Sequence, residues 1–223
     1  MKVTALIVAK APVPGLAKTR LAKTLGDDAA ADIAAAALLD TLDAVSAADF
    51  DERIVAMTGD LAQASRHENI TAALASYIVI PQRGDGFAER LRYAHEDAAA
   101  SGNPVFQIGM DTPQVTVTLL NEAATRLTEP GRTVLGMAED GGWWGLGIAD
   151  PALARGLLEV TMSSPTTGAD TRRALEALGA DIVALPILRD VDHASDLDIV
   201  AAQCLGSSSF RGTVEQVVRH QQR

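Results

Sequence analysis

Short apolar runs alternate with longer stretches of helical spacing along this chain. Val3 to Ala9 is almost entirely apolar, as expected of a strand buried on both faces of a parallel sheet. A Pro/Gly loop from Lys10 to Gly15 follows, and Asp27 to Ala47 then repeats Ala and Leu at helical intervals. Further strands are predicted over Arg53 to Met57, Ser76 to Ile80 (closed by Pro81), Pro104 to Ile108, Thr133 to Met137, Trp143 to Ile148 and Asp181 to Leu185. Helices are predicted over Leu61 to Ala75, Phe87 to Ala100, Val117 to Leu127, around Ala152 to Leu158 and Ala169 to Leu178, and after Ser195. The alternation predicts an α/β fold with a mainly parallel central sheet and helices on both faces. No internal repeat, low-complexity tract or linker interrupts it. The expected organisation is one domain over 1–205 and a C-terminal helical tail over 206–223, loosened by the Gly/Ser-rich stretch Gly206 to Gly212.

The length of 223 residues suits a single domain with ample chain to bury a core. With 48% hydrophobic and 22% charged residues, the make-up is globular. Cys204 is the single cysteine, which excludes a disulfide scaffold and a Cys-rich zinc site. No apolar run approaches the roughly 20 residues that cross a bilayer, and Lys10 and Pro12 interrupt the first run too soon for a signal peptide. A cytoplasmic protein without a membrane span is expected. Nineteen Lys and Arg against 29 Asp and Glu leave a net charge of −10, which argues against nucleic acid as a partner. The charges are unevenly placed. The segment through Gly26 holds Lys2, Lys10, Lys18, Arg20 and Lys23 and no carboxylate, so all 29 acids lie beyond it.

In open α/β sheets ligands gather outside the carboxyl ends of the strands, so the loops that follow strands are the places to look for chemistry. Lys10 to Leu21 combines a Pro14-Gly15 turn with Lys18 and Arg20 at a helix start, a form able to present backbone N–H groups and two cations to a pyrophosphate. A solvated basic helix start fits the same residues equally well. Gly15 to Thr19 lacks the glycine before lysine of a P-loop, since Ala17 stands there. No Gly-x-Gly-x-x-Gly follows the first strand, which leaves a dehydrogenase unsupported. Asp111, between Gly109 and Pro113 after a strand, suits a hard oxygen ligand for Mg²⁺ or Mn²⁺; it equally suits a cap for the next helix.

Gln82 offers an amide that donates and accepts, as recognition of a base edge requires, beside Gly84, Asp85 and Gly86. An ordinary Gly-rich turn explains the same string. Asp140-Gly141 signals a hairpin, and with Gly142 and Trp143 it would also suit a sugar or acceptor pocket. After the last strand, alternation puts Asp190 and Asp192 on one side, and either could join Asp111 at a metal. Ser195 or Asp196 reads as a helix cap, His193 as a polar loop residue and Cys204 as core.

Taken in order, these strings resemble the DUF2064 proteins of the GT-A (nucleotide-diphospho-sugar transferase) superfamily, relatives of phospholactate and molybdenum-cofactor guanylyltransferases. The resemblance rests on Lys10 to Gly15 with Lys18 to Leu21, Gln82 with Gly84 to Gly86 and Glu89 to Leu91, Ile108 to Pro113, Asp140 to Trp144, and Asp190 to Asp192 with Ser195 to Leu197. Two positions depart from the pattern. Trp143 stands where tyrosine is expected, and Met162-Ser163-Ser164 where Trp-Ser-Thr is expected.

The resemblance implies a single Rossmann-like GT-A domain. In it Lys10, Pro14, Gly15, Lys18 and Arg20 grip the nucleotide phosphates, and Gln82, Gly84 and Asp85 lie at the base. Asp140, Gly141, Gly142, Trp143 and Ser163 hold the acceptor. Asp111 binds Mg²⁺ or Mn²⁺ together with Asp192, Asp190 being the alternative. The implied activity is metal-dependent transfer from a nucleotide or nucleotide-sugar to a small-molecule acceptor, glycosyltransferase-like, with Lys18, Arg20 and Asp111 as the catalytic group. One alternative is a guanylyltransferase-like nucleotidyltransferase that joins an NTP to a phosphorylated acceptor. Another is a non-catalytic nucleotide-binding regulator. A homodimer is compatible with each.

Overall fold

The computed structural model describes residues 2–221. Its strands are β1 (Thr4–Lys10), β2 (Glu52–Thr58), β3 (Ile78–Pro81), β4 (Val105–Ile108), β5 (Arg132–Ala138), β6 (Trp143–Ile148) and β7 (Asp181–Leu188). They form one sheet in the order β3-β2-β1-β4-β6-β5-β7. Among the described residues β6 alone is reversed, antiparallel to both β4 and β5, and every other pair is parallel. The helices are α1 (Thr19–Leu25), α2 (Asp27–Ala47), α3 (His67–Leu74), α4 (Phe87–Ala98), α5 (Val117–Leu127), α6 (Thr167–Ala177), α7 (Leu197–Gln203) and α8 (Ser209–Gln221).

β1 is apolar on both faces because it lies inside the sheet with helices above and below. Ala5 and Ile7 pack among Leu38 and Leu42 of α2 and Leu120 and Ala124 of α5, whereas Leu6 packs with Ala94 and Ala98 of α4. The alanines of α2 have the same cause. One side of this helix meets the sheet through Ala35, Leu38 and Val45, and another meets α1, α7 and α8 through Ala30, Ile33 and Ala37. A helix covered on several sides gains from small residues that let its neighbours approach.

The polar residues of α2 position those neighbours. Asp40 accepts hydrogen bonds from Ser208 Oγ (2.6 Å), Ser209 N (2.8 Å) and Phe210 N (2.9 Å), and so caps α8 from another helix. Asp32 takes a two-point pair from Arg66 at 2.6 and 2.8 Å.

Three local expectations change. The helix read over Leu61 to Ala75 is interrupted: a 3₁₀ turn, Leu61–Gln63, precedes α3. Between them Ser65 N donates to Pro12 O at 3.0 Å, and Arg66 adopts a left-handed backbone with its side chain on Asp32. Partners distant in sequence thus overrule the local helical pattern. Pro151–Glu159 keeps the tighter 3₁₀ form, with Ala154 and Leu157 buried in one cluster with Leu91 of α4 and Leu175 of α6. β7 continues past Leu185 through Pro186, which an edge strand tolerates.

His95 on α4 is fully buried, and neither ring nitrogen makes a hydrogen bond among the described residues. Burial pushes its pKa down from 6.5 to about 4, a neighbouring Gln107 amide opposing this only in part. Between those values the unfolded chain takes up a proton that the folded one refuses. The contribution is therefore intact above about pH 6.5 and lost progressively as pH falls toward 4, by roughly 3 kcal/mol in all. Urea unfolding of wild type and His95→Leu at pH 7.5 and 5 should show a smaller acid loss in the variant. Parallel losses in the two proteins would remove His95 as the cause.

Candidate active site

The carboxyl ends of β1, β2, β3, β4 and β7 open onto one cleft of about 940 Å³. Its lining includes Lys10, Lys18, Arg20, Gln82, Asp111, Asp140, Gly142, Trp143, Ser163, Asp190 and Asp192. Pro14, Gly15, Gly84, Asp85 and Gly141 do not line it. Pro14 and Gly15 form the turn behind Leu16 and Ala17, whose N–H groups bond back to Val13 O at 3.0 Å. Asp85 is exposed, its N–H donating to Glu89 Oε2 at 2.8 Å.

The first loop enters α1 through Lys18, which has a left-handed backbone (φ 45°). That turn carries the side chain inward until it is only 13% exposed, with Nζ 2.7 Å from Asp111 Oδ2 and 3.9 Å from Asp192 Oδ1. Burial is the largest influence on the Lys18 ammonium and favours loss of its proton. Asp111, Asp192 and Asp190 outweigh it, so the pKa lies above the ordinary value and Lys18 stays charged. Arg20 pairs with Asp192. Lys10 lies apart from these pairs, its Nζ donating to Leu16 O at 2.7 Å.

The acidic turn after β7 is held by its own buried residues. Val191 is 1% exposed and sits with Leu21, Ile33 and Leu197, so that Asp190 and Asp192 flank a hydrophobic plug. Val191 N donates to Asp111 O at 3.0 Å. Asp196 accepts from Asp192 N (3.1 Å) and His193 N (2.7 Å) and pairs with Arg189 at 3.2 Å, making it a brace for the turn. Asp190 is raised to about 6, first by burial and then by the charges of Asp111 and Asp140.

Gln82 holds its place by donating Nε2 to Ala9 O (2.8 Å) and Ala56 O (2.9 Å). Both amide hydrogens are thereby committed to the sheet, and Oε1 is the group left to serve a ligand, as an acceptor. At the hairpin Asp140 accepts from Gly142 N at 2.7 Å. Gly141, at φ 90°, has no room for a side chain, since a Cβ there would lie 1.9 Å from Pro165 O. Trp143 Nε1 donates to Thr171 Oγ1 at 3.2 Å, and the neighbouring Ser163 has a left-handed backbone.

Leu16, Phe87, Arg90 and Arg189 are among the lining residues to which sequence reasoning assigned no role. A signal for two of them exists, because Phe87, Arg90 and Leu91 fall at i, i+3 and i+4 and so share one face of α4.

Among the described residues no group of three His, Cys, Asp or Glu side chains could by itself hold a metal ion. The carboxylates do converge. One ammonium, Lys18 Nζ, lies within 4 Å of both Asp111 and Asp192, so a single cation can face both. Two carboxylates with the remaining ligands from phosphate and water is a normal set for Mg²⁺. No helix among the described residues is long and apolar enough to cross a membrane.

The chain superimposes on a Desulfovibrio desulfuricans G20 protein provisionally described as a nucleotide-diphospho-sugar transferase, with TM-score 0.82, 24% identity and coverage of 99% of this chain and 95% of that one. It also matches a nucleotidyl transferase from Methanothermobacter thermautotroptrophicus (TM-score 0.58, 18% identity, 90% and 97% covered). Rv0371c from Mycobacterium tuberculosis H37Rv, solved in complex with manganese, is a further match (TM-score 0.55, 18% identity, 90% and 98% covered). At these identities the likeness establishes a shared fold, the one the sequence predicts. No curated protein shows significant similarity to the chain. The model of the DUF2064 family, described as an uncharacterized protein conserved in bacteria, matches residues 41–164, more than half of the chain, and the chain belongs to that family.

Proposed function

We propose that this protein is a metal-dependent transferase that takes a nucleotide or nucleotide-sugar donor in the cleft and passes its glycosyl group to a small-molecule acceptor. The observation that carries this reading is Lys18 poised between Asp111 and Asp192 at the mouth of a cleft large enough for a nucleotide. The fold shared with a protein provisionally described as a nucleotide-diphospho-sugar transferase supports it.

Lys18 and Arg20 would bind the donor phosphates and offset the negative charge that grows on the leaving phosphate oxygen as the sugar–phosphate bond breaks. Asp111 and Asp192 would hold Mg²⁺ or Mn²⁺, with Asp190 as the alternative to Asp192, and the cation when bound would neutralise the same oxygens. The manganese complex of Rv0371c supports a divalent ion in this fold. Trp143 and Ser163 would face the acceptor. No covalent intermediate is needed, and among the described residues Ser164 Oγ has the Thr166 hydroxyl rather than a base beside it.

A second reading, nucleotidyl transfer, is favoured by the likeness to the Methanothermobacter nucleotidyl transferase and by the three cations of the first loop, which suit a triphosphate. Products separate the two. A nucleoside diphosphate released from a nucleotide-sugar marks glycosyl transfer; pyrophosphate released from an NTP with a phosphorylated acceptor marks nucleotidyl transfer.

A thermal-shift screen of nucleotides and nucleotide-sugars with Mg²⁺ or Mn²⁺ should find a ligand that raises the unfolding temperature. With that ligand Asp111→Asn should lose about 100-fold or more of the metal-dependent turnover while keeping its fold. Metal-independent binding with no turnover in wild type would instead favour a regulator. Lys18→Met separates the two halves of the site. Freed of the competing ammonium, its carboxylates should bind Mn²⁺ alone more tightly than wild type, while nucleotide affinity falls about tenfold. Unchanged Mn²⁺ affinity would exclude Asp111 and Asp192 as the ligands.

A further inference from the structure

The cleft is lined by the cations Lys10, Lys18, Arg20, Arg90 and Arg189, and their engagement differs. Lys10 donates to Leu16 O, Lys18 and Arg20 sit on Asp111 and Asp192, and Arg189 sits on Glu139 and Asp196. Arg90 is the exception. Its Nε donates to Gly84 O at 3.3 Å, and among the described residues no carboxylate lies within ion-pair distance of it. Its two terminal nitrogens have no hydrogen-bond partner there either.

A guanidinium stays charged at any physiological pH, so a partly buried and unpaired one is a standing electrostatic cost. The fixed Nε contact also orients the group, leaving the terminal fork to meet a planar or tetrahedral oxyanion at two points. α4 adds to the same potential: it starts at Phe87 beside the end of β3 with no side-chain cap on its first N–H groups. Glu89 of that first turn has its carboxylate engaged by Asp85 N at 2.8 Å.

The neighbours of Arg90 describe the rest of the ligand. Phe87, three residues earlier, lines the cleft with half its surface exposed. Leu91, the next residue, packs in the cluster that takes in Trp143 and Met162. The anion locus therefore belongs to α4 and the apolar wall, whereas Lys18 and Arg20 belong to the first loop.

We propose that the second substrate of this cleft is a small molecule bearing a carboxylate or phosphate, and that Arg90 receives that group while Phe87 packs on its carbon skeleton. This inference rests on the transferase reading, in which Lys18 and Arg20 are occupied by the donor.

The test is calorimetric titration of malonate and of inorganic phosphate, separately, into protein saturated with Mn²⁺ and the nucleotide that gives the largest thermal shift. Wild type should bind one of the two, and which one binds distinguishes a carboxylate acceptor from a phosphorylated one. Arg90→Gln should weaken that binding roughly tenfold or more, Arg90→Lys less, with nucleotide affinity unchanged in both. Three results would overturn the proposal: neither anion binds wild type, Arg90→Gln binds the anion as wild type does, or Arg90→Gln loses nucleotide affinity instead. If no nucleotide binds wild type, the transferase reading fails by itself, and the same titrations without nucleotide still decide whether Arg90 binds an anion.

Discussion

The hydrogen bond from Val191 N to Asp111 O is the constraint on which the cleft depends. Asp111 follows β4 and Val191 follows β7, and in the sheet β6 and β5 stand between those strands. At about 4.8 Å per strand, the chain leaving β7 must return across roughly 14 Å to make this contact. It is drawn back by burial. Val191 enters the cluster formed by Leu21, Ile33, Leu197 and Phe210, which belong to α1, α2, α7 and α8. The hydrophobic docking of α1, α2, α7 and α8 on one another thereby sets where Asp190 and Asp192 stand, one on each side of the plug. The same cluster buries Leu21, one turn into the helix that Lys18 begins, so the cationic and acidic loops are registered against each other by shared apolar packing before any charge is counted.

Much of this was legible in the sequence and some was not, for physical reasons. A strand buried on both faces must be apolar throughout, so β1 could be read directly from Val3 to Ala9, and the strand-end rule then pointed to the loops that carry Lys18, Arg20, Asp111 and the Asp190/Asp192 pair. Periodicity reports which faces of an element are covered but not by which neighbour. Nothing local says that β6 inserts between β4 and β5, or that the backbone at Ser65 and Arg66 leaves the helix to meet Pro12 and Asp32. Gln82 illustrates the limit for side chains. An amide beside glycines is compatible with a base edge, yet its two donors are held by carbonyls of β1 and β2, residues 73 and 26 positions away. Arg90 illustrates the opposite case, in which the informative fact is that no carboxylate of the described residues forms an ion pair with it. Such a fact exists only once the fold has brought every acid into place.

A net charge of −10 is unfavourable to a nucleotide at long range, but the relevant quantity is the balance inside the cleft. Lys18 and Arg20 are paired with Asp111 and Asp192, the Lys18 ammonium almost buried and Arg20 more than half exposed, so that loss of the Lys18 pairing is the costlier of the two. On the proposed reading, a phosphate that draws Lys18 and Arg20 away exposes two carboxylates to each other and to Asp190, and a divalent cation relieves that repulsion. On the same reading the converse would follow by linkage: with a cation held by Asp111 and Asp192, Lys18 and Arg20 would be free to meet the phosphate, and each ligand would raise the affinity of the other by the same factor. A metal–nucleotide pair would then exchange one set of ion pairs for another with little change in local charge. That requirement is met by pairing opposite charges within reach of one another, and an acidic protein meets it as readily as a basic one.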